Sequence, residues 1–147
     1  MSLHPNIIVR EQARQLFQSI TSSSIAQLFI IACFYVMFRH IVNINLLTLW
    51  FISISTVVTL RFLLSWQYNK NKPADEKKWL QRFTFLTLLL GISWASFSLF
   101  YLITDDAILK ALFIVLTCGV MSAAVPVLAA WSPAFYANTI PQFITLL

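Results

Sequence analysis

The sequence predicts an all-α protein, a polytopic transmembrane helical bundle with a cytoplasmic N-terminus, four full spans and part of a fifth. Two observations support this fold class. Of the 147 residues, 59% are hydrophobic and only 10% are charged, whereas a soluble domain carries roughly 25% charged residues. The charged residues also cluster between long apolar runs. A soluble globule is therefore excluded, and so is a disordered chain, because disorder requires low hydrophobicity.

The apolar runs set the predicted spans. About 20 apolar residues are needed for a helix to cross ~30 Å of hydrocarbon. Residues 1–20, which include Arg10, Glu11 and Arg14, are expected to form a cytoplasmic or interfacial amphipathic lead-in. Residues 21–147 are expected to form the transmembrane domain. Its spans are predicted at about 21–38, 45–66, 83–103, 108–130 and 134–147.

The last apolar run, residues 111–147, is too long for one crossing. Pro133 cannot continue a helix interior, and it disfavours helical angles at Ser132. A turn is therefore expected at Trp131–Pro133. Because the fifth span then stops within an apolar run, we expect the sequence to be a piece of a longer protein with a sixth span.

Basic residues set the predicted orientation, because cytoplasmic loops are enriched in Lys and Arg. Segment 67–82 and the end of the second span hold the residues predicted to anchor this topology, which are Arg61, Lys70, Lys72, Lys77, Lys78 and Arg82. The long side chain of Arg61 is expected to reach the cytoplasmic interface. The hairpin at Arg39 and the acidic connection at Asp105 and Asp106 are then outside. The net charge of +5 is explained by these loops, so nucleic acid is not expected as a partner; the lipid bilayer is.

Residue types that catalysis requires are scarce. His4 lies near the N-terminus and His40 in the first hairpin. Cys33 and Cys118 are in separate spans and have no metal-ligand spacing, so they are interpreted as small packing residues. The sequence has no Gly-rich phosphate loop and no nucleophile elbow. It therefore predicts that this chain is not an enzyme and holds no metal or cofactor.

Small and uncharged polar residues follow one face of the third span, namely Thr84, Thr87, Gly91, Trp94 and Ser98. One interpretation is close helix packing, which small residues and hydroxyl groups favour in membranes. The other is a pocket inside the bundle for a small apolar ligand. In the second case, the candidate ligand-binding residues are Trp94, Ser98, Cys118 and Ser122.

Several short motifs follow one another from residue 61 to residue 147. Arg61 ends the second predicted span, and GISW at 91–94 lies in the third. CGVMSAAVP at 118–126 then leads to SPAFY at 132–136 and IPQ at 140–142. This order resembles the N-terminal multi-span membrane sensor region of bacterial signalling proteins. In those proteins about six helices precede a GGDEF diguanylate cyclase, an EAL phosphodiesterase or a sensor histidine kinase.

The resemblance implies a sensory input module in the bacterial inner membrane. The module would pass a stimulus to a cytoplasmic output domain, and the parent protein would form a homodimer. Two other functions stay open. A small transporter or half-transporter would show broken helices near the midplane, for which Gly119 and Pro126 are candidates, but no charge lies at the centre of a run. A membrane anchor and dimerisation module would need no ligand.

Overall fold

The computed structural model describes residues 5–71, 75–102 and 106–145. Within these ranges the ordered elements are all helical, which confirms the all-α part of the predicted fold class. The helices are α1 (Pro5–Phe38), α2 (Ile44–Asn71), α3 (Glu76–Ser98), α4 (Ala107–Leu128) and α5 (Ser132–Ile144), with a 3-10 turn at Leu99–Leu102. Three helical segments in the described part are long and apolar enough to cross a membrane, namely Val9–Phe38, Ile44–Asn71 and Ala107–Leu128.

The helix boundaries follow from local sequence. Asp75 and Asp106 precede α3 and α4, and each side chain accepts a hydrogen bond from a backbone N–H in the first turn of its helix. Pro133 lies in the first turn of α5, where its missing N–H removes no helical hydrogen bond. A turn is therefore present close to the predicted position, but it lies at residues 129–131, and Ser132 and Pro133 begin α5. Two residues named in the topology prediction, Lys72 and Asp105, lie outside the described residues.

The N-terminal helix differs from the expectation of a separate lead-in at residues 1–20. α1 continues without a break across residue 20. Its first half packs inside the bundle, because Leu16, Phe17 and Ile20 are fully buried. These residues pack in an apolar cluster with residues of the other helices. Near its start, Arg10 Nε lies 3.6 Å from Glu76 Oε1 of α3, so these two residues are at the same end of the bundle.

The second and fourth helices also differ from expectation. α2 continues about three turns beyond Arg61, to Asn71, so Arg61 does not lie at its end. α4 is continuous through both Gly119 and Pro126. The break in the fourth span on which the transporter interpretation relied is therefore absent from the described residues.

α3 and α5 are parallel and in register. Trp131 Nε1 donates a 3.0 Å hydrogen bond to Thr84 Oγ1. A Cβ on Gly91 would lie 2.6 Å from the backbone oxygen of Asn138, so the two backbones touch there. The Oγ atoms of Ser98 and Thr145 are 2.7 Å apart. These contacts recur every seven residues on both helices, which is the repeat of a left-handed helix pair.

Two apolar clusters form the core. One joins α1, α2, α3 and α4 around Phe34, Trp50, Phe97 and Phe113. The other lies toward the end that holds Arg10 and Glu76, and it includes residues such as Phe17, Tyr68, Phe83 and Ala134. Outside the core, large apolar side chains such as Phe29 and Leu49 are exposed. Many exposed large apolar side chains of this kind suit lipid rather than water.

Candidate functional site

A cavity of about 190 Å³ lies between the two apolar clusters. All five helices contribute to its wall, with Gln27 from α1, Arg61 from α2, Trp94 from α3, Ala124 from α4 and Asn138 from α5. Gln27 and Arg61 lie between the parts of α1 and α2 that form the two clusters, whereas Trp94 belongs to the first cluster and Ala124 packs against the second. The cavity therefore lies inside the bundle rather than at either end.

Arg61 is the charged group of this cavity. It is 2% exposed, and the carbon at the centre of its guanidinium lies 4.9 Å from the centroid of the Phe83 ring. Its Nε atom has no hydrogen-bond partner, and no carboxylate of the described residues pairs with it. The expectation that this side chain reaches the cytoplasmic interface is wrong, because α2 turns it towards α3 and continues beyond it.

Trp94 and Gln27 add two more unpaired polar atoms to the same wall. Trp94 is 3% exposed, and its Nε1–H has no acceptor. The buried Oε1 of Gln27 has no donor. Most buried polar atoms in proteins are hydrogen-bonded. The three residues that carry these unpaired atoms all line one cavity, which makes it the candidate site for a polar ligand group.

The aromatic core holds Trp94 in position. Its ring contacts those of Phe34 and Trp50, each with centroids 5.7 Å apart. Trp50 is itself fixed, because its Nε1 donates a 2.8 Å hydrogen bond to the backbone oxygen of Ser93. These contacts therefore fix the position of the Trp94 ring at the cavity wall.

The four predicted ligand-binding residues do not converge. Trp94 lines the cavity, whereas Ser98 is fully buried elsewhere, with its Oγ against Thr145 and the backbone oxygen of Ala95. Cys118 is exposed on the surface of α4. Ser122 is exposed too, and lies in an open apolar groove between α4 and α5. The packing interpretation of the polar stripe on α3 therefore fits Thr84, Gly91 and Ser98, and the pocket interpretation fits Trp94 alone.

The other predicted topology residues lie where solvated charges are expected. Lys70, Lys77, Lys78 and Arg82 are all exposed. Lys78 pairs with Asp75 at 3.0 Å. Arg61 differs from them, because among the described members of the predicted set it alone contributes to the cavity wall.

Sequence reasoning missed Gln27 and Asn138. Both are amides within otherwise apolar runs, and that is the signal that could have indicated them, because polar residues inside membrane segments usually face other helices or a cavity. Asn138 is 2% exposed and lies directly opposite Gly91.

Comparisons of the chain with protein-family models, with curated proteins and with solved structures give no match.

Proposed function

We propose that this chain is the membrane-embedded sensory module of a bacterial signal-transduction protein in the inner membrane, passing a stimulus to a cytoplasmic output domain, a diguanylate cyclase or a histidine kinase. One observation supports a sensory role above all: a cavity that all five helices line, with unpaired polar atoms on its wall. A ligand in such a cavity contacts every helix at once, so its binding affects how the helices pack.

The proposed mechanism is a shift between two packings of the bundle. A ligand shifts such an equilibrium only if its affinity differs between the two states. α4 is the helix most suited to move, because only Phe113, Thr117 and Leu128 of its 22 residues are buried. Movement of α4 changes the cavity wall directly, since Val120, Ala124 and Val127 belong to it.

The proposal includes the predicted topology of four full spans and part of a fifth, with a cytoplasmic N-terminus and homodimeric assembly. The contact between Arg10 and Glu76 supports one part of it, because it places the start of α1 beside the basic segment before α3. Segments rich in Lys and Arg are retained on the cytoplasmic side.

An immunological experiment tests the function. An antibody against segment 67–82 is used to isolate the natively expressed protein from solubilised membranes. We expect a polypeptide heavier than the 16.9 kDa of this chain, in a preparation that makes cyclic di-GMP from GTP or phosphorylates itself on histidine. A native polypeptide of 16.9 kDa with neither activity would contradict the proposal.

A transporter is the second candidate, and the burial of Arg61 favours it. Charged residues buried within membrane helices commonly mark a substrate or ion path. The transporter alternative predicts flux of an organic anion into liposomes that contain the purified chain, and the sensor predicts binding without flux. The anchor alternative is tested by exchanging the helices for an unrelated dimeric bundle, which would preserve regulation if the chain were only an anchor.

A further inference from the structure

We infer that the cavity is a binding site for a singly charged carboxylate on an apolar chain, with the Arg61 guanidinium as its counter-ion. The inference rests on the proposed function for its consequence in signalling. The evidence for the site itself is the buried cationic side chain, the residues of its wall that carry other unpaired polar atoms, and the shape of the cavity.

The charge of the ligand follows from the charge of the wall. Arg61 is 2% exposed and cannot lose its proton at any physiological pH. A buried ion without a counter-ion is strongly disfavoured. The four acidic residues in the described ranges are engaged at helix ends or near the N-terminus: Glu11 with Arg14, Asp75 with Lys78, Glu76 with Arg10, and Asp106 as the cap of α4. The missing negative charge must therefore come from outside these residues.

The chemistry of the donors favours a carboxylate. Arginine presents its N–H groups in a planar fork that matches the two oxygens of a carboxylate. The unpaired Nε1–H of Trp94 is a further donor on the same wall. Rotation of the Gln27 side-chain amide presents either its oxygen or its NH₂ group, so it serves a carboxylate as a donor as well. No second Lys or Arg of the described residues lines the cavity, which fits a single negative charge.

The remaining wall defines the body of the ligand. Residues such as Ile30, Leu90 and Val127 are apolar. A cavity of about 150 Å³ accepts a molecule the size of benzene, so about 190 Å³ holds a carboxylate and the first few carbons of a chain. Ala26, Ile30 and Ala123 line the cavity and are also exposed on the apolar exterior. A longer hydrocarbon chain therefore leaves the cavity between α1 and α4, towards lipid.

Thermal unfolding of the full chain in phosphatidylcholine nanodiscs tests the site, with octanoate, octanol and octylammonium as probes of equal chain length. Octanoate should raise the unfolding midpoint by about 5–10 °C at a hundred times its Kd. Octanol and octylammonium should not raise it.

Arg61→Gln should weaken the octanoate effect by about 10- to 100-fold in apparent Kd, and Arg61→Lys by less. Arg82→Gln is the matched control, because Arg82 is exposed and does not line the cavity.

Three results would overturn the inference: equal effects of octanoate and octanol, an octanoate effect that survives in Arg61→Gln, or the absence of any octanoate effect. Suppose instead that added phosphatidylglycerol stabilises the chain through Arg61 while octanoate does not. In that case the site binds a lipid phosphate, and the inferred carboxylate ligand is wrong. If Arg61→Gln did not fold, the comparison of octanoate with octanol and octylammonium on the unchanged chain would still show whether the site selects a carboxylate. Octanoate binding without any change in output activity would contradict the sensory function but leave the site intact.

Discussion

Gly91 of α3 and Asn138 of α5 meet where the backbones of the two helices are in contact, so that an added Cβ would lie 2.6 Å from the asparagine carbonyl oxygen. The same asparagine lines the cavity. The contact between the two helices therefore also positions one wall of the candidate ligand site.

A methyl group at Gly91 should separate these helices. The atom that it would meet belongs to backbone, which cannot rotate away as a side chain can. We expect Gly91→Ala to lower the free energy of unfolding by about 1–3 kcal/mol, measured by thermal unfolding in detergent micelles. Gly119→Ala is the matched control, because a methyl group there would meet nothing within 4 Å. It should leave stability unchanged or raise it by up to about 1 kcal/mol. Equal losses in both variants would contradict the close approach.

Phe97 is the centre of the larger apolar cluster. It is 1% exposed, and its ring contacts those of Phe34, Trp50 and Phe113 with centroid distances of 5.4, 4.7 and 5.3 Å. Phe97→Ala should lower the free energy of unfolding by about 3–5 kcal/mol, because it leaves a cavity that the neighbours cannot fill. Phe85 on the same helix is 61% exposed, and Phe85→Ala should have little effect in the same measurement. A similar loss in both would show that α3 does not face the core as described.

Labelling of single cysteines tests the orientation. Asp75 and Asn43 are exposed and lie in the two connections that the topology places on opposite sides of the membrane. In a background of Cys33→Ala and Cys118→Ala, we expect a membrane-impermeant maleimide to label Asn43→Cys from outside the cell. Asp75→Cys should react only after the membrane is made permeable. If both variants reacted from the same side, the proposed topology would be wrong.

The capping carboxylate of α3 predicts a pH dependence. Hydrogen bonds from the Lys78 side chain and backbone lower the pKa of Asp75 below its ordinary value of 3.8. A lowered pKa contributes stability above pH 3.8, and this contribution is lost as the pH falls through the lowered value. Asp75→Asn should therefore unfold at a slightly lower temperature than the unchanged chain at pH 6, and the difference should shrink as the pH falls below 3.8. A constant difference from pH 6 to pH 3 would contradict this role.

Charge-free runs predict most of the helical segments of this chain, because this signal is local. They do not predict how each helix is rotated about its axis. The length of the Arg61 side chain predicts that it reaches an interface, but α2 directs it towards Phe83 instead. Cys118 and Ser122 have the small size that suits a buried helix face, yet α4 turns them outward. Rotation depends on contacts between helices that are distant in sequence, and a single sequence does not reveal them.

α1 contains 34 residues without a break, which corresponds to a rod of about 51 Å, longer than the hydrocarbon layer by roughly 20 Å. One half borders the cavity at Gln27, and the other half packs beside the charged end of the bundle through Phe17 and Tyr68. A single continuous helix therefore connects the cavity to the end of the bundle that holds Arg10 and Glu76, with no break along its length.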